Sequence, residues 1–436
     1  MRFLARRRSG SRWLIGLASA LVLVSAAACV PGDSGNASSG GSGSGDSGTV
    51  EWWTINLQKN YKGYIDGLIS TYESQNPGVK IKWVDVVPTD MDQKFLAAVS
   101  TGSPPDAVNL TSAQLGAFRP ALTDLNELFT ADELKAYQPS LVDKLKSSDG
   151  TQTGIPWYHG GGLVSYYRKS VVDKVGFTTA NAPKTFDEAL AVAQQIKDKT
   201  GVYGMNLPFV FTIPSYYGIE MLNADKTKAA FNTPEMAAVL TKLKKYYDSG
   251  ALAPGTIEKN WREYPQSIQN KQIAMAPADF ATSLVAVEKN APEVYQDLEV
   301  APGVRSPEGK YLLNGMQTFV IPAKSDNKAA AAKWLKFVTS PANQVAFCKL
   351  VAIFPSTTES LKDPFFTQSK GTAPTDVARG LVSASVSDVI DVTYGTEHDV
   401  ELQESLEEQI RAVLSGSKTP EQALAAAEAA WNKTLA

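Results

Sequence analysis

The stretch Gly154–Glu188, GIPWYHGGGLVSYYRKSVVDKVGFTTANAPKTFDE, decides how the rest of the chain is read. An aromatic-rich loop, Pro156-Trp157-Tyr158-His159, runs into Gly160, Gly161 and Gly162, then into the apolar, aromatic run Leu163 to Tyr167. Glycine accepts φ of either sign, so the backbone can bend there at little cost. Further on, Thr185 and Glu188 are spaced as a capping box, with Phe186 opening an apolar helix face. A rigid aromatic surface, a pliant point and a strand in succession suit a chain that passes from one lobe to another.

The 436 residues exceed what one ordinary core accommodates and predict two domains. With 43% hydrophobic and 20% charged residues, the composition is that of a soluble globular protein with ample core. Its 2 cysteines exclude a disulfide framework. Residues 1–28 read as a processing signal: Arg2, Arg6, Arg7, Arg8 and Arg12 form a cationic region, and Trp13 to Val24 is an apolar run too short for a membrane span. Ser25-Ala26-Ala27-Ala28-Cys29 resembles a bacterial lipobox, with Ala26 where Leu is usual, so Cys29 is expected to be lipidated. The alternative is ordinary cleavage with Cys29 as a stray thiol. Residues 29–48 are a Gly/Ser tether, a flexible coil spanning roughly 20–25 Å. Removing the five arginines leaves 37 Lys and Arg against 45 Asp and Glu, and that acidic balance argues against nucleic acid and against charge-driven membrane binding.

The body begins with TVEWWTI (Thr49–Ile55), a β-branched and aromatic strand. Tyr61, Ile65, Leu68, Ile69 and Tyr72 recur at helical spacing until Asn76-Pro77-Gly78 breaks the helix, and VKIKWVDV (Val79–Val86) is a second strand. A helix over Met91–Thr101 leads to Gly102-Ser103-Pro104-Pro105-Asp106-Ala107-Val108 and a third strand. Beyond the crossing, a helix over Phe186–Lys199, a strand over Val202–Leu207 and a helix capped by Thr233 before Pro234 are predicted. Later come a strand in Gly315–Pro322, a helix in Lys328–Thr339, a buried Cys348 and an Ala-rich last helix capped at Thr419.

Several of these motifs resemble, in order and spacing, the extracellular solute-binding proteins of ABC importers, in the sugar-binding branch that includes maltose-binding proteins. Gly150 to Pro156 is similar to the family's G-x-x-Y-G-[IV]-P, and Tyr166-Tyr167-Arg168 to its Y-N-[KR], with Tyr167 where Asn is usual. Val175-Gly176-Phe177 and Pro183 to Glu188 follow the same pattern, as do Ala121 to Leu125, Asn270 to Met275, Leu298 to Gly303, Thr339 to Gln344, Phe354-Pro355-Ser356 and Thr419 to Leu424. The resemblance implies an α/β, two-lobed periplasmic-binding-protein-like fold. Each lobe would be a mostly parallel sheet flanked by helices, and the discontinuous domains would be joined by a hinge. Residues 49–159 and 303–347 would form the first lobe, and 160–302 and 348–436 the second.

It implies a lipid-anchored monomer outside the cytoplasm that captures a carbohydrate and passes it to a membrane permease, with no catalysis and no cofactor. A phosphorylated or anionic solute such as a glycerophosphate is the runner-up, with Arg168 and Lys169 as its natural partners. As an enzyme, the chain has an HGGG at His159 but no G-x-S-x-G, no P-loop and only 2 histidines, which disfavours esterase and zinc chemistry. A glycoside hydrolase needs only two placed carboxylates and stays open as an alternative. Sugar binding calls for aromatic platforms and planar polar side chains at strand ends. The candidates are Trp53, Asn56 and Gln58 after the first strand, Asn109 and Thr111 after the third, and Trp157 and Tyr158 at the crossing. In the second lobe they are Phe211, Tyr216, Asp279 and Phe280, together with Asn314 and Tyr394. For Trp53, Phe211, Tyr216 and Tyr394 a core role is the competing reading, and for Asp279 a helix cap.

Overall fold

Strand β1 (Gly48–Ile55) pairs in parallel with β2 (Val79–Val86) along its whole length, and the helix Gln58–Gln75 crosses between them. The computed structural model describes residues 48–147, 149–160, 163–207, 210–258, 264–313, 315–351, 353–368, 371–385 and 388–436. The signal, Cys29, most of the tether and Asn314 lie outside these residues. The first turn of the helix has no side-chain cap of its own. Asp85, on β2, supplies it: Oδ1 accepts from Leu57 N (2.9 Å) and Oδ2 from Gln58 N (2.8 Å).

β3 (Ala107–Thr111), β4 (Ile155–His159), β9 (Gln317–Val320) and β10 (Phe354–Pro355) complete a six-stranded sheet in the order β10-β4-β9-β3-β1-β2. A second, three-stranded sheet has the order β6-β5-β7, from β5 (Val164–Arg168), β6 (Met275–Asp279) and β7 (Leu298–Pro302). Beside it β8 (Tyr311–Leu313) pairs in parallel with β11 (Val389–Asp391). The two-lobed α/β architecture is as expected, but neither sheet is as parallel as expected. β9 runs antiparallel to β3 and β4, and β5 runs antiparallel to both β6 and β7. The reason is directional. β5 and β9 each enter their sheet from a crossing, so they start at the edge where their neighbours end.

The boundaries also differ from those expected. The chain rejoins the first sheet at Gln317 rather than 303 and stays with it to Pro355 rather than 347, because β8 finds its partner in β11 and β10 in β4. The strand expected over Val202–Leu207 is reduced to single bridges, Tyr203 to Ile273 and Met205 to Leu252. Its residues pair with two separate loops, so no continuous ladder forms.

Aromatic rings hold the first sheet to its helices. Trp157 lies between Phe319 (centroids 4.4 Å) and Phe347 (5.0 Å, planes 7° apart). Trp52 packs edge-on to Trp157 (6.2 Å) and to Trp334 (5.1 Å) of the helix Lys328–Val338. Buried Gln344 ties the same region together: Oε1 accepts from Ser356 N (2.8 Å) and Nε2 donates to Ser356 Oγ, which donates to Pro156 O at 2.6 Å. In the second sheet, alternation along β5 sends Tyr166 to one core and Tyr167 to another, where it meets Phe177 at 4.3 Å. Thr185 and Glu188 form the expected capping box on the helix Phe186–Thr200, and Thr233 and Thr419 cap their helices as expected. Among the described residues no helix is long and apolar enough to cross a membrane.

Trp157→Ala removes a ring covered on both faces, so we expect a loss of about 3–5 kcal/mol in urea unfolding. A loss below about 1 kcal/mol would place that ring outside the core.

Candidate ligand-binding cleft

The strand registers set two edges against each other. In the first sheet, β1 and β2 end together at Ile55 and Val86, and β3 ends at Thr111, opposite the start of β9 at Gln317. In the second sheet, β5 starts at Val164, opposite the ends of β6 at Asp279 and β7 at Pro302. The chain crosses between these edges from His159 to Val164 and from Leu313 to Gln317. Few crossings and facing edges are the geometry of a hinged cleft.

The two sides meet beside the end of β3. Ser112 Oγ, in the first turn of the helix Ser112–Phe118, donates to Asp391 Oδ2 at 2.6 Å. The same hydroxyl accepts from Met316 N at 3.1 Å. A Cβ on Gly116 would fall 1.8 Å from the Thr396 carbonyl oxygen, so only glycine permits that backbone approach.

The first edge is polar. Asn109 Nδ2 donates to Gln317 Oε1 (2.9 Å) and Thr318 O (3.0 Å), while its buried Oδ1 has no partner among the described residues. Thr111 and Gln114 form a capping box, and Gln114 Nε2 donates to Asp92 Oδ1 at 2.6 Å. Amide groups that both donate and accept can address hydroxyls of either orientation.

The second edge is built on Asp279. Its Oδ2 accepts a short hydrogen bond from the Tyr166 hydroxyl, and Oδ1 accepts from Phe280 N at 2.7 Å. Burial pushes its carboxyl up to about 6, against these hydrogen bonds, which favour the charged form. Phe280 packs beside Tyr311, Leu313 and Val389. A Cβ on Gly160 would fall 2.5 Å from the Phe280 ring, so the first crossing runs close against it.

The candidates read from the sequence divide. Asn56, Thr111, Tyr158, Asp279 and Phe280 stand at the facing edges, with Asn109 two residues in from the end of β3. Asn56 is exposed and left-handed (φ 55°). Gln58 is exposed at the start of its helix. Thr111 is a cap, and Asp279 has both oxygens engaged within its own lobe. Trp157 is corrected to a core residue, since neither ring face is open. Trp53 is half-buried against the core cluster that contains Val86, Met91 and Phe95, and its Nε1 donates to Glu51 at 2.7 Å. Phe211 is buried in the second core. Tyr216 stacks on Phe186 at 5.2 Å, Tyr394 lies 4.9 Å from Trp431, and neither hydroxyl has a partner among the described residues. Burial pushes both phenols well above their usual range; for Tyr394, Asp399 adds to the rise. Arg168 and Lys169 lie at the opposite end of β5 from the facing edge. Lys169 pairs with Asp173 (3.0 Å) and Arg168 reaches Asp297 (3.9 Å), so they are not anion ligands at this cleft. Ser112, Gln114, Asp92, Gln317 and Asp391 were missed. Thr111-x-x-Gln114 was legible as a capping box; the partners of the others depend on distant segments.

His159, the candidate of the esterase reading, is buried and held down to about 4, so its imidazole is neutral at pH 7. Among the described residues no cluster of His, Cys, Asp and Glu could hold a metal ion.

The sequence profile of the bacterial extracellular solute-binding proteins matches residues 67–375. An uncharacterized ABC transporter extracellular-binding protein of Pyrococcus horikoshii is 25% identical over 336 residues, 72% of this chain and 72% of that one. A crystal structure from Synechococcus, described as an oligosaccharide periplasmic-binding protein, superposes with a TM-score of 0.79 at 25% identity, over 88% of this chain and 98% of that one. Maltose-bound MalE3 of T. maritima, at 20% identity, shares the fold with a TM-score of 0.72, over 89% of this chain and 98% of that one.

Asp279 binds its proton more tightly folded than unfolded, because its folded value of about 6 lies above the unfolded 3.8. Its contribution is therefore full below about pH 4 and is lost as the pH rises through 6. Asp279→Asn should flatten the fall in stability between pH 4 and 6.5, an effect of roughly 2–3 kcal/mol in urea unfolding. An unchanged slope would show that Asp279 does not titrate there.

Proposed function

The chain belongs to the bacterial extracellular solute-binding protein family, and on that premise we propose that it captures a carbohydrate between its two lobes and delivers it to the permease of an ABC importer. The observation that carries the reading is the polar edge of Asn109, Gln317, Gln114 and Asp92, set opposite the second lobe and joined to it at Ser112 and Asp391. Saccharides present hydroxyls that donate and accept, and apolar C–H faces. Amides, carboxylates and the ring of Phe280 are the matching chemistry. The unpartnered groups of Asn109, Tyr216 and Tyr394 are the further contacts we propose. A buried polar atom without a partner costs about 1–3 kcal/mol, which a ligand hydroxyl recovers. The Synechococcus neighbour supports the solute class.

The work of such a protein is closure rather than chemistry. A solute that contacts both edges favours the closed state, and the equilibrium moves by its differential affinity for the two states. The apolar run before Cys29 and the Gly/Ser tether after it support a lipid anchor that keeps the body near the permease.

Thermal unfolding of the full chain against mono- and oligosaccharides, amino acids and glycosides tests the solute class. At 100 times its Kd a bound sugar adds about 2.7 kcal/mol. We expect stabilisation by one sugar class, with the sugar recovered intact. Stabilisation by none, or a cleaved glycoside, overturns the reading. Cys29→Ser should move the protein from the membrane fraction to the supernatant, and retention on the membrane would overturn the anchor.

A further inference from the structure

Beside the contact between the lobes lies a cavity of about 500 Å³, bordered by Ser112, Arg119 and Lys144 on one side and by Lys226, Thr393 and Gly395 on the other. Its charge is one-sided: Arg119, Lys144, Lys146 and Lys226 line it, against Asp143 and Asp225. Among the described residues only Lys146 is matched, by Asp143 at 3.4 Å. Among the described residues Arg119, Lys144 and Lys226 form no ion pair, and the buried Nε of Arg119 meets no acceptor.

Lys226 is held in place rather than left to wander. It sits near the tip of a turn closed by Asn223, whose Oδ1 accepts from Thr227 N (2.8 Å) and Lys228 N (2.9 Å). Its own N donates to Asn223 O at 2.9 Å, and its φ of 57° is a left-handed conformation that lysine seldom adopts. The ammonium lies against Gly395. Burial holds it below its usual range and the charge of Lys144 adds to this; Asp399 opposes the shift and Arg119 reinforces it.

Cations brought together from two lobes repel each other most when the lobes are closed. An anion between them reverses the sign of that interaction. We propose that this cavity is an oxyanion site, of the phosphate or sulfate class, in which Arg119 and Lys144 of the first lobe and Lys226 of the second hold one anion and so favour the closed form. Arg119 is suited to paired hydrogen bonds with such a group, and the lysines to point-charge contact. The site does not require that the solute be a carbohydrate. The anion is either a free ion or a charged substituent of the captured solute.

Calorimetric titration of the full chain with inorganic phosphate, at ionic strength held constant with chloride, tests this. We expect saturable binding that weakens at least tenfold in Arg119→Gln and in Lys226→Asn; asparagine accepts the left-handed turn position. Lys62→Gln, which removes an exposed cation of the helix Gln58–Gln75 that does not line the cavity, should bind as the parent does, and all three variants should melt as the parent does. No saturable heat, or equal affinity in Lys226→Asn, overturns the proposal. A glycerophosphate that binds more tightly than inorganic phosphate would assign the anion to the solute, and equal affinity would assign it to a free ion; both results support the site.

Discussion

The packing of Trp157 between Phe319 and Phe347 is the contact on which the first lobe depends. The three rings come from β4, β9 and the helix Pro341–Val351, segments far apart in the chain. Residues 163–313 intervene between β4 and β9, and they build the second sheet. The chain can leave and return only because the returning segment finds a ring surface waiting for it. Closing so long a loop carries an entropic cost that grows only slowly with its length. Burial of three large rings, with Trp52 and Trp334 against them, offsets it.

Return by insertion also sets strand direction. A strand that enters from a crossing begins at the cleft edge, and its neighbours end there, so it must be antiparallel to them. β5 and β9 both obey this. One consequence is chemical: the ends of β3 and β6 and the starts of β5 and β9 are collected at the same gap. Asn109, Gln317 and Asp279 are therefore close to it although they lie far apart in sequence. Another consequence is mechanical, since the lobes are joined by crossings, by Ser112 and Asp391, and by the tight approach at Gly116.

Much of this was legible in the residues. TVEWWTI and VKIKWVDV form strands that occupy or lie within β1 and β2, and the helix caps at Thr185, Thr233 and Thr419 are present. The site was legible in part. Asn56, Asn109 and Phe280 were placed near the gap by the rule that ligands meet strand ends. Trp157 was misread because polar and glycine neighbours suggested exposure, whereas its surroundings are set by rings more than 150 residues away. Asp92, Gln114 and Asp391 carry no local signal of a shared edge, because surface carboxylates and amides look alike until a partner faces them.

The sequence by itself determined the family, the α/β alternation, the helix caps and the signal-like N-terminus, since these depend on residues within a few positions of one another. Tertiary structure alone decided the antiparallel insertions, the cap that Asp85 supplies to a helix that lacks one, and the burial that raises Asp279. It alone brought Arg119, Lys144 and Lys226 around one cavity. The physical reason is range. Capping and periodicity act over one or two turns of chain, while desolvation and charge act through space and depend on whichever segments fold into contact.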